Sequence, residues 1–294
     1  MSVIPATGIV LFLVFIISLC IGSFLNVVID RLPKMIEEQA KKDACEILSL
    51  PIDQQKKDNL LRPSSCAYCH KKLRFWQNIP LLSFILLRGK CFYCKGKISF
   101  QHPMVELISA LGATLIIWQF NFSAISMSLC ILYFYLITLF VIDLKHYLLP
   151  DALTLSLLWL GLIINTSSIK FPLANSIGSA IAGAILGYLL PWVIYWLFKI
   201  IRKKEGLGYG DFKLLSAIGA WVGVYMLPLI LLVSALIGIF ISLILMYTQK
   251  ENYQYIPFGT AIAIAVTFYI FFSTYFLAAL YLPFFTLFYY FLHN

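Results

Sequence analysis

The chain is 294 residues long, 61% hydrophobic and only 12% charged. That balance excludes an ordinary water-soluble domain and indicates a polytopic membrane protein. Its net charge of +9 is confined to a few loops, with fourteen of the 22 Lys and Arg between Arg31 and Lys97 and five between Lys199 and Lys213, so nucleic-acid binding is a poor explanation for it.

The first apolar run spans residues 5–28 and is read as a retained transmembrane helix. The first basic residue, Arg31, follows this run, and the positive n-region of a cleavable signal is missing. The run ends in Gly22-Ser-Phe-Leu-Asn-Val-Val-Ile-Asp-Arg-Leu-Pro33. Ser23, Asn26 and Asp30 recur at three and four residues and share one helix face. That face is either a polar packing seam beside a snorkelling Arg31, or the lining of a site. Pro33 is expected to end the helix.

Residues 34–102 form the one sizeable polar region, with one or two short helices expected around Pro51. Cys66-Ala-Tyr-Cys69 and Cys91-Phe-Tyr-Cys94 follow, with 21 residues between them. Two C-x2-C knuckles supply four thiolates for one structural zinc. Lys71, Lys72, Lys90 and Lys95 would favour the ionised thiols. A redox dithiol pair or an iron–sulfur centre is the alternative, but no βαβ context accompanies the motif. Four thiolates leave no place for catalytic water, so the metal is expected to staple the loop. Cys20 and Cys130 fall in apolar spans and are read as packing residues; Cys45 receives no role.

Further spans are expected at about 103–118, 123–142, 151–164, 173–200 and 257–281. The run 212–245 is too long for one crossing, and Gly223 and Pro228 suggest a break into two helices. The aromatic tail, 282–294, is placed in the membrane interface. Glu106 is assigned to the first turn of its helix, favoured there by the helix dipole, with site contacts as the alternative. About eight spans put Lys145, Lys199, Arg202, Lys203, Lys204, Lys213 and Lys250 on the side of the Arg31–Lys97 loop, and only Lys170 opposite. By the positive-inside rule that side is cytoplasmic. Asp143 and Asp211 fall on it together.

Asp143 closes one apolar run within Ile142-Asp-Leu-Lys-His-Tyr-Leu-Leu-Pro-Asp151, and Asp211 opens another after Gly206-Leu-Gly-Tyr-Gly210. An acid at the edge of lipid is costly and usually functional. Two such acids suit a membrane aspartyl protease, one carboxylate taking a proton from water and one carboxylic acid polarising the scissile carbonyl. Asp211, before a helix, is expected to be the anion; Asp143, at a helix C-terminus, the protonated member. Taken singly, Asp211 could be an N-cap and Asp143 the partner of Lys145 or Lys204. Capping is the leading reading of Asp151, and a structural role that of His146. Gly208 and Gly210 would let a substrate backbone lie close. The glycine run lacks the G-x4-G-K-[ST] spacing of a phosphate loop.

These segments, with His102-Pro-Met-Val-Glu106 and the G-x-G-D of Gly208–Asp211, resemble the type IV prepilin peptidases over nearly the whole chain. The resemblance implies an all-α polytopic protein of about eight transmembrane helices with a cytoplasmic zinc-binding insertion after the first. It implies three regions: 1–29, a first helix; 30–102, the zinc domain; and 103–294, a bundle carrying the aspartates. Asp143 and Asp211 match the family's catalytic pair. Implied substrates are prepilins and pseudopilins at the inner membrane, cleaved after a glycine. Many members then N-methylate the new N-terminus with S-adenosylmethionine. No G-x-G-x-x-G in a βαβ unit marks a methyl-donor pocket, so methylation rests on the resemblance. The rival readings are a transporter, for which no inverted repeat or midplane acid is found, and an assembly protein of a secretion apparatus.

Overall fold

The computed structural model describes residues 5–49, 59–60, 63–66, 68–166, 174, 176–203, 208–248 and 257–281. Helices dominate: α1 (Gly8–Ile47), α2 (Leu82–Leu86), α3 (Gln101–Phe120), α4 (Ala124–His146), α5 (Asp151–Thr166), α6 (Ile177–Arg202), α7 (Tyr209–Val222), α8 (Leu227–Thr248) and α9 (Phe258–Tyr281). Among the described residues there are no strands beyond two isolated bridges. Among the described residues, five helices are long and apolar enough to cross a membrane: α1, α3, α4, α6 and α8; α5 and residues 258–272 of α9 are shorter apolar helices. The chain divides into two compact units, residues 1–154 and 155–294, with the boundary inside α5.

In the first unit α1 is one helix of 40 residues. It runs through Pro33, against the expected stop. The residues beyond Pro33 are strong helix formers, and Glu37/Lys41 and Glu38/Lys42 stand at i, i+4. That propensity outweighs one missing N–H. At about 1.5 Å per residue the helix is roughly twice the thickness of a hydrocarbon core, so its charged C-terminal half extends beyond lipid. Ile9, Phe12, Leu13 and Ile17 are exposed, as a lipid-facing surface requires. Arg31 is no snorkelling cation: its Nη1 donates to the carbonyls of Asn59 at 2.9 Å and Leu60 at 3.1 Å. Close approaches set the packing. A Cβ on Gly22 would lie 2.8 Å from the Cα of Glu106, and one on Gly112 would enter the Tyr133 ring. Tyr133 donates its hydroxyl to Ile108 O at 3.0 Å, joining α4 to α3.

In the second unit α6 and α7 cross backbone to backbone. A Cβ on Gly183 would collide with the Gly219 carbonyl, and one on Gly187 would lie 2.5 Å from Leu215 O. Ser216 Oγ donates to Ala184 O at 2.8 Å. From α5, Asn165 Nδ2 reaches Ala220 O at 2.9 Å, while Trp221 Nε1 on α7 returns a bond to Leu157 O at 2.8 Å. The expected break occurs where placed: α7 stops at Val222, Gly223 follows at φ +77°, and Pro228 is the second residue of α8. Pro51, Lys170, Lys204, Gly206, Lys250 and the aromatic tail lie outside the described residues.

Gly183→Val should force α6 from α7 and cost about 1–3 kcal/mol, the range for overpacking. Thermal unfolding in detergent should show a lower midpoint than Gly178→Val, a position where, among the described residues, an added Cβ meets Ser176 Oγ alone, at 3.8 Å.

Candidate functional site

The four cysteines singled out by spacing converge. The Sγ atoms of Cys66, Cys69, Cys91 and Cys94 all lie within 4.8 Å of one another. Each knuckle is built alike. His70 N donates to Cys66 O and Cys66 N to Lys71 O, both at 3.0 Å. Lys95 N donates to Cys91 O at 3.0 Å, and Cys91 N to Gly96 O at 2.8 Å. His70 and Lys95 hold the matching left-handed turn, at φ 55° and 58°. Antiparallel bridges Ser65–Lys72 and Lys90–Lys97 close the two turns. Gly96 leaves room for the Tyr68 ring of the other knuckle, which a Cβ would meet at 2.7 Å.

The donor set fits zinc. Cys66 Sγ and Cys94 Sγ are 3.7 Å apart, close to the edge of about 3.8 Å in a tetrahedron of 2.3 Å Zn–S bonds. A hydrogen bond from the Cys94 backbone N–H, working against burial, brings the Cys91 thiol down to about 7. The Gly96 N–H favours the Cys94 anion, but burial and the other thiols outweigh it and push Cys94 up to about 11. Crowded thiolates repel, and a divalent cation removes that conflict. Of the remaining cysteines, Cys130 is buried as expected, whereas Cys20 is exposed and Cys45 half-buried, both without a disulfide.

Adjoining this site, with Cys66 and Cys91 in its walls, lies a cavity of about 660 Å³ of mixed polarity, lined by α1, α3 and the cysteine-bearing segment. Ser23, Asn26 and Asp30, the polar stripe of α1, all line it. Asn26 serves the seam as well: its Nδ2 donates to His102 O at 3.0 Å and to Gly22 O at 3.3 Å. Glu106 is 7% exposed and lines the same cavity. It lies beyond the first turn of α3, which starts at Gln101, and its Oε2 accepts from Leu81 N at 2.9 Å. It therefore ties the polar segment to α3 instead of stabilising its own helix start. Asp30 Oδ2 stands 3.8 Å from His102 Nε2. Gln77, whose Oε1 caps Arg74 N at 2.9 Å, is a cavity residue that sequence reasoning missed. It carries no sequence signal, because its placement depends on the fold of the cysteine domain.

The two acids lie one in each unit. Asp143 is 5% exposed in the last turn of α4, where its carbonyl accepts from Tyr147 N at 2.9 Å. His146 ends that helix, exposed, and Asp151 is the exposed first residue of α5. Asp211 is 7% exposed in the first turn of α7. It is the third helical residue and not the N-cap, a position taken by Gly208, whose N–H donates to Asp211 Oδ2 at 3.2 Å. Gly208 is extended at φ −81°, ψ 144°, so the backbone makes no demand for glycine. Among the described residues, a Cβ there would meet Asp211 Oδ2 at 3.4 Å. What glycine provides is the absence of a side chain against the carboxylate oxygen. Gly210 is helical and half-buried. Beneath them Tyr195, Tyr209 and Phe212 pack as a ring cluster, with centroids 5.4–5.8 Å apart.

Residues 16–120 match the Bacterial Peptidase A24 N-terminal domain, and residues 130–243 the Type IV leader peptidase family. The chain is 44% identical over 253 residues to the prepilin leader peptidase/N-methyltransferase of Stutzerimonas stutzeri, covering 85% of this chain and 86% of that one. The protein of that name from Pseudomonas aeruginosa is 45% identical over 253 residues, with the same two coverages. Its Neisseria gonorrhoeae counterpart is 40% identical over 245 residues, 82% of this chain and 84% of the relative. No solved structure matches.

Freshly purified protein should contain zinc at about one ion per chain by elemental analysis, as a closed four-thiolate site requires. Cys69→Ser should lower that content and the unfolding temperature together. Bound zinc should also leave more readily as pH falls, because protons compete for the thiolates.

Proposed function

The chain belongs to the type IV leader peptidase family, and on that premise we propose a membrane aspartyl endopeptidase that is also an N-methyltransferase. It removes the basic leader from type IV prepilins and pseudopilins at the cytoplasmic boundary of the inner membrane, then methylates the new N-terminal residue. The observation that carries the hydrolase reading is the burial of two carboxylates, Asp143 and Asp211, at helix ends of apolar segments. Burying a carboxyl group at the edge of lipid is costly, and an acid kept there is a functional-site candidate by default. The relatives' names agree with a peptidase and do not favour the transporter or assembly readings.

Asp211 is the anion of the pair. The first turn of α7 and the Gly208 N–H both favour negative charge there. Asp143, in the last turn of α4, meets the carbonyl end of its helix, which favours the neutral acid. Asp211 takes a proton from water as the water oxygen bonds to the scissile carbonyl carbon. Asp143 gives its proton to the developing oxyanion. When the C–N bond breaks, the proton held by Asp211 passes to the leaving amine, and Asp143 recovers the proton from the hydroxyl. The clustering of basic residues in a few loops supports a cytoplasmic side for both helix ends and the cysteine segment. Zinc, closed by four thiolates, holds residues 30–102 as a folded domain, and 103–294 forms the membrane bundle. S-adenosylmethionine supplies the methyl group.

Asp143→Asn and Asp211→Asn should each reduce cleavage of a co-expressed prepilin by at least about 100-fold, with membrane insertion unchanged. Mass spectrometry of the pilin N-terminus reads cleavage and methylation together. Normal cleavage by either variant would remove that residue from the mechanism.

Gly208→Val should also slow cleavage while unfolding at the parental temperature. Its backbone angles suit any residue, so the loss would come from blocked access to Asp211. Full activity in both Gly208→Val and Gly210→Ala would sink the substrate-approach role of the glycines.

A further inference from the structure

We infer that α2 and the turn before it lie in the membrane interface on the side where α3 begins, with lipid acyl chains covering Leu82, Ile85 and Leu86 and anionic headgroups meeting Arg88 and Lys90. The inference rests on α3 as a membrane-spanning helix and on neither half of the catalytic function above. Leu82, Ile85 and Leu86 stand at i, i+3 and i+4, one face of a helix, and all three are exposed, Leu86 at 71%. Phe75 and Phe100 are exposed as well. Phe75 opens the single turn Phe75–Asn78, which packs against α2, and the Phe100 ring meets that of Phe84 with centroids 6.1 Å apart. A water-facing domain rarely gathers so much bare apolar surface, and such surface marks an interaction site.

Depth identifies lipid as the occupant. α3 has 20 residues, about 30 Å at about 1.5 Å per residue, which is the thickness of a hydrocarbon core. Glu106, in its second turn, accepts from Leu81 N at 2.9 Å. That bond pins the start of α2 about 7.5 Å along α3 from Gln101, within the roughly 5–10 Å to which interfacial helices sink. With five residues, α2 is far too short to cross the bilayer, so it lies along the surface. Charge agrees with depth. Residues 59–105 hold eight Lys and Arg and no Asp or Glu. Four thiolates on one zinc would offset only two of those charges. Gly89, at φ +66°, turns the chain just after α2, and the exposed Arg88 and Lys90 stand on either side of it. An apolar face followed at once by cations is the pattern of a segment resting on an anionic leaflet.

The test puts a genetically encoded fluorescent amino acid in place of Leu86, of Ile85 and, as a control, of Ile47, which is 83% exposed at the far end of α1. Each full-length, zinc-loaded protein is reconstituted in nanodiscs of phosphatidylcholine and phosphatidylglycerol, with and without lipid carrying a nitroxide near the top of its acyl chain. Parental zinc content and unfolding temperature establish the fold, and the two α2 positions are read separately, so one that disturbs folding leaves the other to decide. Reporters at Leu86 and Ile85 should be quenched by the nitroxide lipid at least about threefold more than the one at Ile47, and by aqueous iodide at least about threefold less. Leaving out phosphatidylglycerol should weaken the lipid quenching, and no change would remove the headgroups from the inference. Iodide quenching equal to that at Ile47 would put this face in water and overturn it. Protection from both quenchers would put protein over the face, a second copy or another chain, and overturn it equally. None of these readings depends on catalysis, so their failure leaves the peptidase to be judged by prepilin cleavage.

Discussion

Everything in this structure depends on helices that approach closer than side chains ordinarily permit. Lipid tails are as apolar as leucine, so helices gain nothing by hiding apolar surface from them. Close van der Waals contact and interhelical hydrogen bonds must hold the crossings instead. Gly22 against Glu106 does this in the first unit, and Gly183 against Gly219 with Gly187 against Leu215 does it in the second. Around each crossing a polar side chain reaches a neighbouring backbone carbonyl: Asn26 to His102, Ser216 to Ala184, Asn165 to Ala220. The functional groups inherit their positions from these contacts. Asp211 stands on the helix that Gly219 anchors, and Glu106 on the helix that Gly22 admits.

The sequence made some of this legible and hid the rest for identifiable reasons. Apolar runs and the Gly223–Pro228 break located the helices, because both signals are local. The cysteines declared themselves through spacing alone, since a tetrahedral site constrains chain separation. Pro33 is a misleading signal, because its one missing hydrogen bond counts for less than the helix-forming run behind it. Asp211 was open to reading as an N-cap, and the actual cap, Gly208, has no side chain to advertise the role. Gln77 gave no sign at all, because its significance is tertiary.

The glycines of G-x-G-D illustrate a change of meaning between sequence and structure. Their composition suggests backbone freedom. The structure uses none of it at Gly208, which is extended, and leaves the Asp211 carboxylate oxygen without a side chain from that position against it. The polar stripe of α1 likewise serves two ends, since Asn26 both joins α1 to α3 and contributes to a cavity wall.

The continuity of α1 through Pro33 makes its two halves a single shaft. Azimuth on a shaft is fixed by arithmetic: each residue added or removed turns everything beyond it by about 100°. One residue inserted after Asp30 would turn the distal half by about 100° and two by about 200°, close to the opposite flank, whereas seven or eleven nearly restore the bearing. Length variation in this stretch is therefore expected to come in whole turns, as in a threaded coupling and unlike a tether.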